Sequence, residues 1–173
     1  GQVTSFQGMG GLGKTQLAVE YAHTYKDNYD GVVWLTVDQD IDEQLIELAE
    51  KSKWVNKEVD INVKLSKARE GYASLEKTLL IYDNVENIEE IEPLFPHSPT
   101  NKILVTSRNP IQKFQSIPLD TLNEENAIKL LESESQRKIE DNELFDVRKL
   151  TDQLEGLPLA LEMAGAYVSF LEC

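Results

Sequence analysis

Gly8-Met9-Gly10-Gly11-Leu12-Gly13-Lys14-Thr15 decides the reading of this chain. The eight residues satisfy G-x-x-x-x-G-K-[S/T] in full. They lie between a strand-like stretch, Val3 to Gln7, and a helical pattern at Leu17, Ala18, Tyr21, Ala22 and Tyr25. Glycines let a backbone wrap a phosphate chain more closely than side chains permit. The helix that follows points the positive end of its dipole, with the amides of Lys14, Thr15 and Gln16, at the anion. Lys14 is placed to reach the β- and γ-phosphates, and Thr15 to offer its hydroxyl to Mg²⁺.

Outward from this loop, strands alternate with helices. Val32 to Val37 is β-branched and aromatic, as in a strand buried on both faces. Asp40 and Glu43 form a capping pair ahead of a helix carrying Leu45, Ile46, Leu48 and Ala49. Ile61, Leu65, Ala68, Tyr72 and Leu75 keep one helical face. Thr78 to Tyr82 reads as a strand ending at Asp83, Lys102 to Thr106 as one ending at Ser107-Arg108, and Ser116 to Leu119 as the last. Such alternation predicts an α/β fold with a parallel sheet, whose ligand sits at the carboxyl ends of the strands. From Leu119 on, only helical patterns remain: one capped by Asn123, one around Leu144 to Leu154, and one starting at Pro158. The chain therefore divides into an α/β core at 1–118 and a helical subdomain at 119–173.

Composition narrows the function. The 173 residues carry 40% hydrophobic residues and a net charge of −14, enough apolar material for a core and too acidic for a nucleic acid or an anionic membrane as main partner. A small phosphate ligand stays compatible, because local amides override the distant field. The one cysteine, Cys173, excludes an internal disulfide, and with only His23 and His97 it makes no zinc set. Leu157 to Leu171 is too short to span a bilayer and holds Glu162. Gly1-Gln2-Val3-Thr4 shows no signal-peptide pattern, so a cytoplasmic setting is expected.

Around the phosphate loop, Asp83 has the place of a magnesium-holding carboxylate at the end of an apolar strand. Asn84 follows where an acid could activate water, and an amide cannot act as a base, so slow hydrolysis is expected. Arg108 is either a surface arginine before Pro110 or a cation that reaches the terminal phosphate. Asn101-Lys102 is not followed by the Asp of a guanine-reading motif, since Leu104 occupies that place, which favours adenine. Trp34 reads as core, Trp54 as half-exposed, His23 as helix surface, and the acids from Glu86 to Glu92 as a solvated face.

The order of motifs resembles the NB-ARC module of STAND-type switch ATPases. The likeness is carried by Gly8 to Ala18, by Tyr29-Asp30-Gly31-Val32-Val33-Trp34-Leu35 and by Leu80-Ile81-Tyr82-Asp83-Asn84-Val85. Ile103-Leu104-Val105-Thr106-Ser107-Arg108 and Gly156-Leu157-Pro158-Leu159-Ala160 complete it. In wording it is closest to members with tetratricopeptide repeats. The resemblance implies a P-loop NTPase sheet of order 5-1-4-3-2 flanked by helices, with a small C-terminal helical subdomain. It implies ATP/ADP bound with Mg²⁺: Gly8, Met9, Gly10, Gly11, Leu12, Gly13, Lys14, Thr15 and Gln16 around phosphate, Thr15 and Asp83 on the metal, Arg108 sensing the γ-phosphate, and Pro158 near adenine. The implied role is a molecular switch with slow ATPase activity. In a longer parent it would work with repeat and effector domains and self-associate. The family's winged-helix subdomain and the segment ahead of its first strand are not found here, which implies a piece of a larger protein. The alternative is a scaffold that retains ADP as a structural cofactor with negligible turnover. A kinase would need an acceptor pocket and lid, and no segment supplies them.

Overall fold

A computed structural model describes residues 2–171, so Cys173 lies outside the described residues. The chain forms two compact units. One comprises the chain through Gln7 together with Lys14–Pro118, and the other joins Gly8–Gly13 to the chain from Leu119 on. The second unit thus takes in the glycine loop as well as the helices that follow Leu119.

The first unit is built on five parallel strands, β1 (Gln2–Gln7), β2 (Gly31–Thr36), β3 (Thr78–Val85), β4 (Lys102–Ser107) and β5 (Gln115–Pro118), in the order β2-β3-β4-β1-β5. This is the expected order read from the opposite edge. Helices α1 (Lys14–Tyr25), α2 (Ile41–Lys51) and α3 (Ile61–Ala73) and the single turn α4 (Ile88–Ile91) make the crossovers. β3 and β4 lie inside the sheet, and their near-continuous apolar runs are buried on both faces: Leu79, Leu80, Ile81 and Tyr82 in β3, and Ile103, Leu104 and Val105 in β4.

Two local expectations need correction. β2 is an edge strand, and its burial alternates: Val33 and Leu35 are buried, Val32 is 40% exposed and Trp34 only half-buried. Apolar composition alone cannot tell a central strand from an edge strand whose outer face is also greasy. The open edge is partly closed by Gln44 of α2, whose side-chain carbonyl accepts from Thr36 N (2.8 Å) and whose amide donates to Thr36 O (2.9 Å). β3 also does not stop at Tyr82. It continues to Val85 through a register shift against β4 between Tyr82 and Val85, with Asn84 at φ +62°.

Capping follows the sequence. Asp40 accepts from Glu43 N (3.1 Å) at α2, and Asp60 from Asn62 N (2.9 Å) at α3. Trp54 lies on Gly71 of α3, where a Cβ would come within 2.4 Å of the indole ring, so the helix gives up a side chain to seat it. Tyr72 and Tyr82 share a buried hydroxyl–hydroxyl hydrogen bond of 2.6 Å, and burial pushes both phenols up in pKa. Asn101 is fully buried. Its carbonyl accepts from Thr78 N (2.9 Å) and its amide donates to Leu75 O (2.7 Å), which pins the start of β3.

The second unit packs α5 (Glu124–Ser135), α6 (Leu144–Gln153) and α7 (Pro158–Leu171) around Ala127, Leu131 and Leu161. Asn123 caps α5 by accepting from Asn126 N at 2.9 Å. α7 turns Leu161 and Ala164 to this core and leaves Met163, Tyr167 and Phe170 exposed. Among the described residues no helix is long and apolar enough to cross a membrane.

The link between α5 and α6 is held by Arg137, which grips both oxygens of Glu143 at 2.8 Å, while Glu140 N donates to the same carboxylate (2.9 Å). The Arg137 hydrogen bonds, aided by that backbone donor, hold the Glu143 pKa down to about 2 from 4.5. A carboxylate depressed in the folded state stabilises above its unfolded pKa, and the contribution disappears as pH falls through the folded value. Arg137→Gln is therefore expected to lower the melting temperature at pH 6 and to melt like the parent near pH 2. Acid melting curves of the two proteins check this; a constant gap down to pH 2 is the failing result.

Candidate functional site

In a doubly wound sheet the carboxyl edge is where separate strands deliver side chains to one place. β1 and β4 end level with each other, Gln7 opposite Ser107, and Asp83 of β3 lies opposite Thr36 of β2. Asp83 is nearly buried, and its Oδ1 accepts two hydroxyl hydrogen bonds, from Thr15 of α1 (2.9 Å) and from Thr106 of β4 (2.5 Å). Thr106 is buried and also accepts from Asn84 N at 2.9 Å. One hydroxyl thus fixes both the carboxylate and the residue after it.

Lys14 opens α1 and is half-buried. Its pKa is lowered, first by burial and then by the positive charge of Arg108, with Asp83 acting in the opposite sense. Two cations and one carboxylate therefore share this edge in a chain whose net charge is −14. A pair of like charges held together costs free energy that an incoming anion relieves. Arg108 itself is exposed, just past the end of β4.

The loop Gly8–Gly13 runs by one peptide bond into Lys14. Its four glycines fall into two kinds. A Cβ on Gly8 would lie 2.9 Å from the carbonyl oxygen of Leu119, and one on Gly11 would lie 3.3 Å from Cβ of Leu159, so both are needed for packing within the helical unit. Leu159 N also donates to Gly11 O at 3.2 Å. Around Gly10 and Gly13, by contrast, nothing lies within 4 Å of the Cβ position, and Gly13 has φ +82°. No protein neighbour demands a glycine at either position. Space beside backbone amides at a helix N-terminus is what a phosphate cradle requires.

These residues fit a magnesium nucleotide. Among the described residues no group of three or more His, Cys, Asp or Glu could hold a metal by itself. Mg²⁺ ordinarily takes one or two carboxylates and completes its shell with phosphate oxygens and water, and Asp83 with Thr15 supplies that partial set.

The structure brings Lys14, Thr15, Asp83 and Arg108 together in the first unit. Gln16 is exposed in the first turn of α1 and Met9 is 62% exposed in the loop, whereas Leu12 is buried. Pro158 is buried at the first position of α7 within the second unit. His23 is exposed, as are Glu86, Glu89 and Glu90. Two residues escaped the sequence reading. In the sequence Thr106 reads only as the end of the strand Lys102 to Thr106, with no role of its own. Asp38 follows the carboxyl end of β2, and its Oδ2 accepts from Asn84 Nδ2 at 2.7 Å. The rule that singled out the ends of the other strands would have found it, had β2 been included.

"Probable disease resistance protein RXW24L" of Arabidopsis thaliana is 35% identical over 122 residues, covering 62% of this chain and 13% of its own length. "Probable disease resistance protein At1g58390" from the same plant is 28% identical over 197 residues, covering 97% of this chain and 21% of its own. The chain thus spans less than a quarter of the length of these relatives. Among solved structures, a replication initiator DnaA bound to AMPPCP and single-stranded DNA superposes with a TM-score of 0.60 at 14% identity, over 99% of this chain and 57% of that one. The likeness to DnaA is one of fold. The family of the NB-ARC domain matches residues 1–141, and to that family this P-loop chain belongs.

Proposed function

We propose that this NB-ARC module binds ATP or ADP with Mg²⁺ and works as a conformational switch that slow hydrolysis resets. The observation that supports it best lies at the carboxyl edge of the sheet, where Lys14 and Arg108 stand with Asp83, whose carboxylate is braced by the hydroxyls of Thr15 and Thr106. In this reading the amides of Gly8 to Gln16 line the phosphates, and Lys14 binds the β- and γ-phosphates. Thr15 and Asp83 hold the metal, and Pro158 contributes to the adenine side. Bound Mg²⁺ supplies neutralisation of phosphate charge. Arg108 is the residue able to tell ATP from ADP, because an equilibrium moves only if a group interacts differently with the two ligands. That the DnaA structure similar in fold is bound to AMPPCP lends support.

The relatives extend far beyond this module, so effector and repeat domains, self-association and a cytoplasmic setting belong to the same proposal for a parent chain. With a net charge of −14, nucleic acid is not among the proposed partners. Asn84 favours the second reading, a nucleotide-retaining scaffold that scarcely turns over, since its amide cannot take a proton.

Hydrogen exchange with saturating Mg–ADP and Mg–ATP separates the two. The switch predicts that amides in residues 119–171 differ in protection between the nucleotides, and that Arg108→Ala erases the difference while both nucleotides still bind. Identical protection patterns in the unaltered protein would leave only the scaffold.

A further inference from the structure

The position after Asp83 lacks an acid, yet an acid stands beside it. β2 and β3 are parallel neighbours with Thr36 opposite Asp83, and Val37 N donates to Asp83 O (2.9 Å), carrying the pairing one residue past the strand end. This brings Asp38 alongside Asn84, whose Nδ2 donates to Asp38 Oδ2 at 2.7 Å. Asn84 is held for the task. Its φ of +62° is a left-handed conformation that asparagine adopts more readily than most residues, and its N–H is taken by Thr106 rather than by the ladder. Thr15, Asp83, Thr106, Asn84 and Asp38 then form one unbroken hydrogen-bonded chain from the first turn of α1 to the end of β2. Asp38 is solvent-exposed, and the hydrogen bond from Asn84 engages Oδ2, which leaves Oδ1 as the acceptor for a water.

Resting on the nucleotide-switch reading above, we propose that Asp38 is the carboxylate that orients and deprotonates the attacking water, with Asn84 as the residue that positions it. In the step, the water oxygen bonds to the γ-phosphorus and the bond from that phosphorus to the β,γ-bridging oxygen breaks. The electron pair stays on the ADP oxygen. The water proton passes to Asp38, which gives it up to solvent. The acid thereby stands at the end of β2, held by the Asn84 amide of β3. A tie that only stiffens the turn would leave the chemistry unchanged when its charge is removed.

The test compares the parent protein, Asp38→Asn, and the exchanged pair Asp38→Asn with Asn84→Asp. Phosphate release at saturating Mg–ATP, Mg–ATP affinity by calorimetry and melting temperature are measured for each. Asp38→Asn is expected to lower kcat about 10²-fold with affinity within about twofold, the size of a lost general base. The exchanged pair, which restores one acid and one amide, should recover turnover. Unchanged kcat in Asp38→Asn overturns the assignment, as does an exchanged pair that melts like the parent but stays inactive. A parent that binds Mg–ATP yet releases no phosphate also overturns it and leaves nucleotide binding intact, whereas failure to bind Mg–ATP at all removes the underlying reading as well.

Discussion

Lys14→Ala is expected to weaken Mg–nucleotide binding by roughly 150-fold, the equivalent of about 3 kcal/mol for two charge-assisted hydrogen bonds to phosphate. The effect is large because few cations compete for the role. The chain carries 17 basic against 31 acidic residues, and Lys14 is the one basic residue of the loop motif. Its surroundings sharpen the prediction. Burial and Arg108 both disfavour the ammonium in the folded chain, with Asp83 compensating only in part. For a lysine whose folded pKa is depressed, the charge costs stability at neutral pH, and that cost disappears as pH rises through the folded value towards 10.5. Lys14→Ala without nucleotide should therefore melt no lower than the parent at pH 7, while losing nearly all of the stabilisation that Mg–ATP gives. Calorimetric titration and melting with and without nucleotide check both halves. Equal affinity in variant and parent would sink the phosphate-loop assignment itself.

The second large effect is on folding. Gly156→Ala is expected to destabilise the helical unit by about 2–4 kcal/mol, the range for overpacking combined with a strained left-handed residue. Gly156 has φ +63°, and a Cβ there would sit 2.3 Å from the carbonyl oxygen of Leu122. That oxygen belongs to backbone and cannot swing aside, because Leu122 N is itself held by Gly156 O at 2.8 Å. Gly156 N also closes the end of α6 on Thr151 O at 3.1 Å. Any backbone shift that admitted the methyl group would strain both hydrogen bonds. Gly31→Ala serves as the control, since nothing lies within 4 Å of its Cβ position. A fall of roughly 10 °C in melting temperature is expected for Gly156→Ala and little change for Gly31→Ala. Indistinguishable melting curves would show that residues 156 and 122 do not approach as described.

Local rules carried most of the fold. The alternation of strand and helix patterns, the aspartate capping α2 and the asparagine capping α5 all depend on neighbours within a few residues, so they can be read along the chain. The glycine loop was legible for the same reason, because one short segment carries its whole chemistry. Strand position was not. β2 reads like a buried strand, yet the order of the sheet puts it at the edge and leaves Val32 40% exposed.

The pairings that tie Asp83 to Thr106, and Asn84 to Thr106 and Asp38, span 23, 22 and 46 residues. No periodicity or motif encodes such distances. They arise because parallel strands bring carboxyl ends level, and register then decides which side chain meets which. The same holds for the glycines. All four in the loop look alike as letters, and only packing separates Gly8 and Gly11, pressed by protein, from Gly10 and Gly13, which face open space. Chemistry confined to one turn of chain can be spelled in order of residues; chemistry shared among strands exists only once the sheet has closed.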